Sequence, residues 1–191
     1  MNTNTYSRTS LTAVPPVILG VDLTIANQES VRRSLRSAFG LSARAINLRI
    51  DPSMELIYLC ETTLPNTLPC LATLTGPGVT AVTLRTARLE WQPDADHAIG
   101  RGTSTLAALE TGTCFLTASS RKIAVASFTS PMVHATHIDM DVLGHPNLLE
   151  YLRTEWFTLE LSGTNRRRLS RPLAFKTVLE FDVQMARAAQ A

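Results

Sequence analysis

Two short clusters bring together side chains able to do chemistry. The first is Asp94, Asp96 and His97, within VTLRTARLEWQPDADHAIGRGT at 82–103. The second is HATHIDMDV at 134–142. Side chains alternate across an extended strand, so His137, Asp139 and Asp141 would point one way and Ile138, Met140 and Val142 the other. Two carboxylates and an imidazole on one face suit a divalent cation, Ca2+ being the natural choice for oxygen donors. Ca2+ takes six to eight oxygens, so Asp139 and Asp141 would need a neighbouring subunit to complete the site. The first cluster lies between Pro93 and Gly100 and reads as a solvated turn. An enzyme here would draw on His134, His137 and Asp139 and would need a concave pocket, which no spacing demands.

Other catalytic signatures are missing from the sequence. There is no G-x-x-x-x-G-K-S/T loop, no G-x-S-x-G elbow and no H-E-x-x-H pair. Gly100 and Gly102 do not follow a strand and open a βαβ unit. The three cysteines, Cys60, Cys70 and Cys114, are odd in number and form no C-x-x-C, which argues against a disulfide framework or a zinc ribbon. They are expected to be buried thiols.

Charge is unevenly spread over the 191 residues, whose net charge is +2. Residues 1–50 hold six Arg against Asp22 and Glu29, a net +4. Residues 51–165 carry −6, and residues 166–191 carry +4. Sixteen of the eighteen cationic residues are Arg, whose planar fork matches phosphate oxygens, so the basic ends hint at nucleic acid. No run approaches the ~18 apolar residues of a membrane span. The first residues lack the cationic start and apolar run of a secretory signal, so a soluble protein of a reducing compartment is expected.

The elements that must position these residues are mostly strands. Residues 1–16, rich in Thr, Ser and Asn and ending in Pro15-Pro16, read as a mobile arm, with 17–191 as one domain. NQESVRRSLRSAFG at 27–40 predicts a helix, with Asn27 as N-cap and Gly40 at the C-terminal end. Val31, Leu35, Ala38 and Phe39 form its apolar stripe, and Arg32, Arg33 and Arg36 project from the other side. Extended runs follow at 43–50, 54–60, 82–91, 113–118, 122–128 and 134–142, and a short helix is expected at 145–153. The strongest strands are 156–163, with Phe157, Leu159 and Leu161 on one face, and 174–185. In the latter Phe175, Leu179, Phe181, Val183 and Met185 face one way and Lys176, Glu180, Asp182 and Gln184 the other. Many short strands with turn signals and little helix favour an all-β antiparallel sandwich or jelly roll over a parallel α/β fold.

The run TARLEWQPDADHAIGRGTSTLAAL resembles an element of the coat proteins of small icosahedral positive-strand RNA viruses, tombusviruses and sobemoviruses in particular. There a strand ends in aromatic-x-Pro, a polar loop leads to Gly, and a strand of small and apolar residues follows. The matching positions are Leu89, Trp91, Pro93 and Gly102. EWFTLELSGTN and AFKTVLEFDVQM resemble the last two jelly-roll strands of such proteins. The resemblance covers roughly a third of the chain. It departs from the family in its N-terminal arm, which carries only Arg8, and in lacking a protruding C-terminal domain and a clear calcium-binding acidic pattern.

The resemblance implies an antiparallel jelly-roll β-sandwich with a short N-terminal helix and a mobile arm. It implies a non-enzymatic coat protein that packs copies of itself into an icosahedral shell around viral RNA. Such a protein would reside in the virion and assemble in the host cytoplasm, without a membrane. Arg8, Arg32, Arg33 and Arg36 would meet RNA phosphates, and Asp139 and Asp141 would hold Ca2+ at subunit interfaces. Arg166, Arg167 and Arg168, between the last two strands, would line a symmetry axis or the RNA chamber. The alternative is a non-capsid β-sandwich that binds RNA, such as a viral movement protein or silencing suppressor.

Overall fold

Eight antiparallel strands form one nearly closed sheet in the computed structural model, which describes residues 15–25, 56–92, 106–129, 131, 136–169 and 172–186. The strands are β1 (Val17–Ile25), β2 (Ile57–Pro65), β3 (Val79–Trp91), β4 (Leu109–Ala118), β5 (Arg121–Thr129), β6 (His137–Val142), β7 (Trp156–Asn165) and β8 (Leu173–Met185). Two short helices are described, α1 (Pro69–Thr75) and α2 (Leu149–Leu152), with a 3-10 turn at Leu106–Ala108. The chain is all-β, as its alternating pattern predicts.

The spatial order is β1-β8-β3-β6-β5-β4-β7-β2. The first strand pairs with the last, the second with the seventh, the third with the sixth and the fourth with the fifth. The chain is therefore a long ribbon folded back on itself, its tip at the two-residue turn Ser119-Ser120. Ser119 adopts φ 55°, a conformation that such hairpin turns usually assign to Gly. Further pairings, β3 with β8 and β4 with β7, roll the ribbon up. The β5–β6 seam is short, with only Ala126↔Val142 and Ser127↔Asp141 in register.

One face of each strand fills the interior. In β8 the inward residues are Leu173, Phe175, Thr177, Leu179 and Phe181, all buried. Val183 is only partly covered and Met185 is exposed, so the strand outruns the core. Phe157, Leu159 and Leu161 of β7 point inward as their spacing predicts. Each such side chain contributes about 1.5–3 kcal/mol on burial.

In β3 the inward positions change parity. Val82 and Leu84 are buried, then Ala87 and Leu89, because the register slips between Leu84 and Thr86. Arg85 is the extra residue of this bulge, and strict alternation fails there for that reason.

β6 pairs with β3 only over Ala87–Glu90, which leaves the first half of β3 with an open edge. The segment after β6 covers it. Asn147 Oδ1 accepts from the Val82 N–H (3.0 Å) and the Leu149 N–H (3.1 Å), and its Nδ2 donates to the Thr80 carbonyl (3.3 Å). The Leu148 N–H donates to the Val82 carbonyl (2.7 Å), and Arg153 Nη2 donates to that of Val79 (3.1 Å). These contacts satisfy backbone groups that a further strand would otherwise have to meet.

The remaining differences from the sequence reading are local. The second described strand runs 57–65 and not 54–60, and the helix expected at 145–153 is only Leu149–Leu152. α1 lies in a stretch whose Pro and Thr content reads as a connection; Pro69 in its first turn and Gly76 just past its end are the signals that mark it. The predicted arm, the 27–40 helix and the 43–50 strand lie outside the described residues, apart from Pro15 and Pro16.

Thr177 is the one buried hydroxyl on the inner face of β8, and its Oγ1 has no hydrogen-bond partner. An unmet buried hydroxyl costs about 1–3 kcal/mol. Thr177→Val keeps the shape and removes that cost, so it should stabilise the protein by about 1 kcal/mol. Urea unfolding checks this; a lower midpoint would refute it.

Candidate functional site

Among the described residues, the chemistry-bearing side chains lie in the core, on the two outer faces of the sheet, and in the corner after β7. Cys60 and Cys114 lie in the core, each in register with Leu161 of β7 from opposite sides. Burial pushes both thiols up to about 12, so neither is a thiolate nucleophile at neutral pH. Burial also raises the Tyr58 phenol, whose hydroxyl donates to the Thr111 carbonyl at 2.7 Å. Cys60 and Cys114 are thus the core thiols their residue type suggests, and Cys70 is half-buried.

The outer face of β1, β8, β3 and β6 is a lattice of charge. Asp22, Lys176, Glu90 and His137 lie in one cross-strand row, and Val178, Arg88 and Asp139 in the next. Arg88 pairs with Glu90 at 2.7 Å, and Arg85 reaches Glu180 at 3.7 Å and Asp182 at 4.0 Å. Thr86 Oγ1 donates to Glu180 at 2.9 Å, and Gln92 Nε2 donates to Asp22 at 2.9 Å. Acids outnumber bases here, so this face would repel a polyanion.

Asp139 and Asp141 do share the outer side of β6 with His137, as the alternation requires. The structure brings them no further ligands. Asp139 lies opposite Arg88 and 3.8 Å from His137 Nε2, both highly exposed, and Asp141 lies opposite Ser127. No group of three or more His, Cys, Asp or Glu that could hold a metal occurs among the described residues. Within one chain, the Asp pair supplies too few oxygens for Ca2+.

The outer face of β2, β7, β4 and β5 is different. One row is Thr63, Thr158, Thr117 and Lys122, and the next is Glu61, Glu160, Phe115 and Ala124. Leu59, Ser162, Thr113 and Ser127 follow, then Ile57, Thr164, Thr111 and Thr129. Hydroxyls dominate. Several are paired within the layer, Thr63 with Thr158 at 3.1 Å and Thr111 with Thr164 at 2.8 Å. Lys122 Nζ donates to both oxygens of Glu160 at 2.6 Å and sits 4.4 Å from the Phe115 ring centre. Sequence reading gives this face no role, since no single stretch carries it; it exists only once four distant strands align.

The basic corner after β7 splits by role. The Arg166 backbone N–H donates to the Ala108 carbonyl (2.8 Å), while its guanidinium donates to the Leu109 (3.2 Å) and Pro131 (2.8 Å) carbonyls. Arg166 is therefore a structural clamp. Arg167 and Arg168 are exposed beside it. Arg8, Arg32, Arg33 and Arg36 lie outside the described residues, as do Asp94, Asp96, His97 and His134. The strand ahead of Asp94 does end at Trp91.

No protein-family model matches the chain, and no curated protein or solved structure does either. Among the described residues no helix is long and apolar enough to cross a membrane.

The raised thiols give stability a pH dependence. In the unfolded chain a thiol loses its proton near its ordinary value of 9.0; in the fold it keeps it to about 12. Their contribution is whole below pH 9 and is lost as pH rises towards 12, with Tyr58 acting in the same direction above 10. Urea midpoints should fall steeply above pH 9, and Cys114→Ala should lower the midpoint throughout but flatten that slope. A flat profile in the unmodified protein would count against burial of these thiols. In the corner, Arg166→Ala should cost about 1–2 kcal/mol and Arg167→Ala less than about 0.5, measured by the same unfolding.

Proposed function

We propose that the strands form a jelly-roll sandwich and that the chain is a viral coat protein, one that assembles copies of itself into an icosahedral shell around RNA. The observation that carries this reading is the folded-back ribbon order. A jelly roll is eight antiparallel strands in two sheets. The short β5–β6 seam divides the order into the halves β1-β8-β3-β6 and β5-β4-β7-β2, which is the division a sandwich needs.

The filling of the sheet also favours a building block over a ligand-binding barrel. A binding barrel places polar groups inside to orient its guest. Among the described residues the buried interior is apolar except for Thr177 and Asn165. Chemistry of recognition is therefore left to the outer surface. Identical subunits gain stability from many modest interfaces related by symmetry.

RNA enters as a polyanion met by arginine forks, without regard to sequence. The outer face of β1, β8, β3 and β6 is too acidic for that task. The assignment goes to Arg8, Arg32, Arg33 and Arg36, with Arg167 and Arg168 as a secondary group. Asp139 and Asp141 act as cation ligands only if a second subunit brings oxygens to them.

Size-exclusion chromatography and negative-stain microscopy test the reading directly: closed particles carrying RNA are expected, and a small oligomer at every concentration would overturn it. Replacing Arg32, Arg33 and Arg36 together with Gln should reduce the RNA per particle or the yield of particles. Unchanged RNA content, read from the ultraviolet absorbance ratio, would refute that assignment. Chelation should loosen particles, and Asp139→Asn with Asp141→Asn should abolish the response.

A further inference from the structure

We infer that the outer face of β2, β7, β4 and β5 is a docking surface for the same face of a second copy of this chain. The inference rests on the self-assembly reading and names the surface that serves it.

The two outer faces of the sheet have the same backbone and opposite chemistry. The β1, β8, β3 and β6 face carries charge in nearly every row and is suited to water. The other face carries three charged side chains in its four rows: Glu61, Glu160 and Lys122. Two of them neutralise each other through the bidentate Lys122–Glu160 contact. Glu61 is on edge strand β2, where it would sit at an interface rim and stay hydrated. Depletion of charge at the centre is the compositional mark of an interface.

Apolar exposure lies on the same surface. Leu59 is 62% exposed and Ile57 59%, both on the outward side of β2, and Phe115 lies at the centre under Lys122. Four of the hydroxyls are already bonded in pairs, Thr63 with Thr158 and Thr111 with Thr164, so covering those strands no donor or acceptor.

Charge and area both favour a second copy. A face this close to neutral does not repel itself, whereas the acidic face opposite would. Four strands at ~4.8 Å spacing and about eight residues at ~3.4 Å give roughly 500 Å2 per copy. The pair would cover about 1,000 Å2, the lower bound for a specific interface. One patch meeting itself is the isologous contact of a two-fold dimer.

The experiment is sedimentation velocity on the full chain across a concentration series. Thr113→Lys with Ser162→Lys places like charges at the centre of the face. Association should weaken by about 100-fold or more. Thr83→Lys with Thr86→Lys adds the same charge beside Asp182 and Glu180 on the opposite face and should leave association unchanged. Thermal unfolding establishes that both variants are folded. Hydroxyl-radical footprinting of the unsubstituted protein needs no variant: Leu59, Ile57 and Phe115 should be protected several-fold as concentration rises, and Ile18 should not. Dimers that never close into shells would support the docking face and sink the coat reading. Shells that still form with both lysines in place, or footprints that spare these residues, would overturn the docking face and leave the coat reading standing. A chain that stays monomeric throughout would overturn both.

Discussion

The burial of one face of β8 between β1 and β3 is the interaction on which the rest depends. Phe175, Leu179 and Phe181 are among the largest side chains with no access to solvent, or share their layer, and they hold the first and third strands to the last. Once β8 is seated, the outward residues of three strands are fixed in rows, and the charged lattice from Asp22 to Asp139 follows. The opposite half depends on an equivalent strand, β7, which seats Phe157, Leu159 and Leu161 between β2 and β4. Gly163 shows how close that seating is: a methyl group there would run into the Thr111 backbone. Gly112 leaves room for the Phe128 ring and the Tyr58 hydroxyl in the same region.

Much of the fold was legible because alternation is a local signal. The inner faces of β7 and most of β8 were readable in this way. What escaped is what alternation cannot encode. The bulge at Arg85 changes the parity of β3, so no single phase describes the strand. α1 is short, with only Leu71 and Leu74 buried, too little to show helical period. Thr177 occupies an inward position with a polar residue, where composition points away from the core. As for the site, the shared side of His137, Asp139 and Asp141 followed from the sequence, but their sparse surroundings did not. The hydroxyl-rich face was invisible, since its rows join residues 57–63 to 111–129 and 158–164.

The sheet thus has two chemically different exteriors. One is bristling and hydrated, with Arg85 and Arg88 held among acids. The other is hydroxylated and nearly neutral, with Ile57 and Leu59 along its rim. Arg167 and Arg168, the secondary group proposed to meet RNA, follow β7 and belong to neither layer.

Pairing the first strand with the last has a consequence for biogenesis. β1 and β8 are separated by roughly 150 residues, the kind of distant contact that slows folding. While the polypeptide is still emerging from the ribosome, β1 has no partner to receive Leu19, Val21 and Leu23. That oily edge must be shielded from neighbouring nascent chains until β8 arrives, which makes translation speed and chaperone supply determinants of yield.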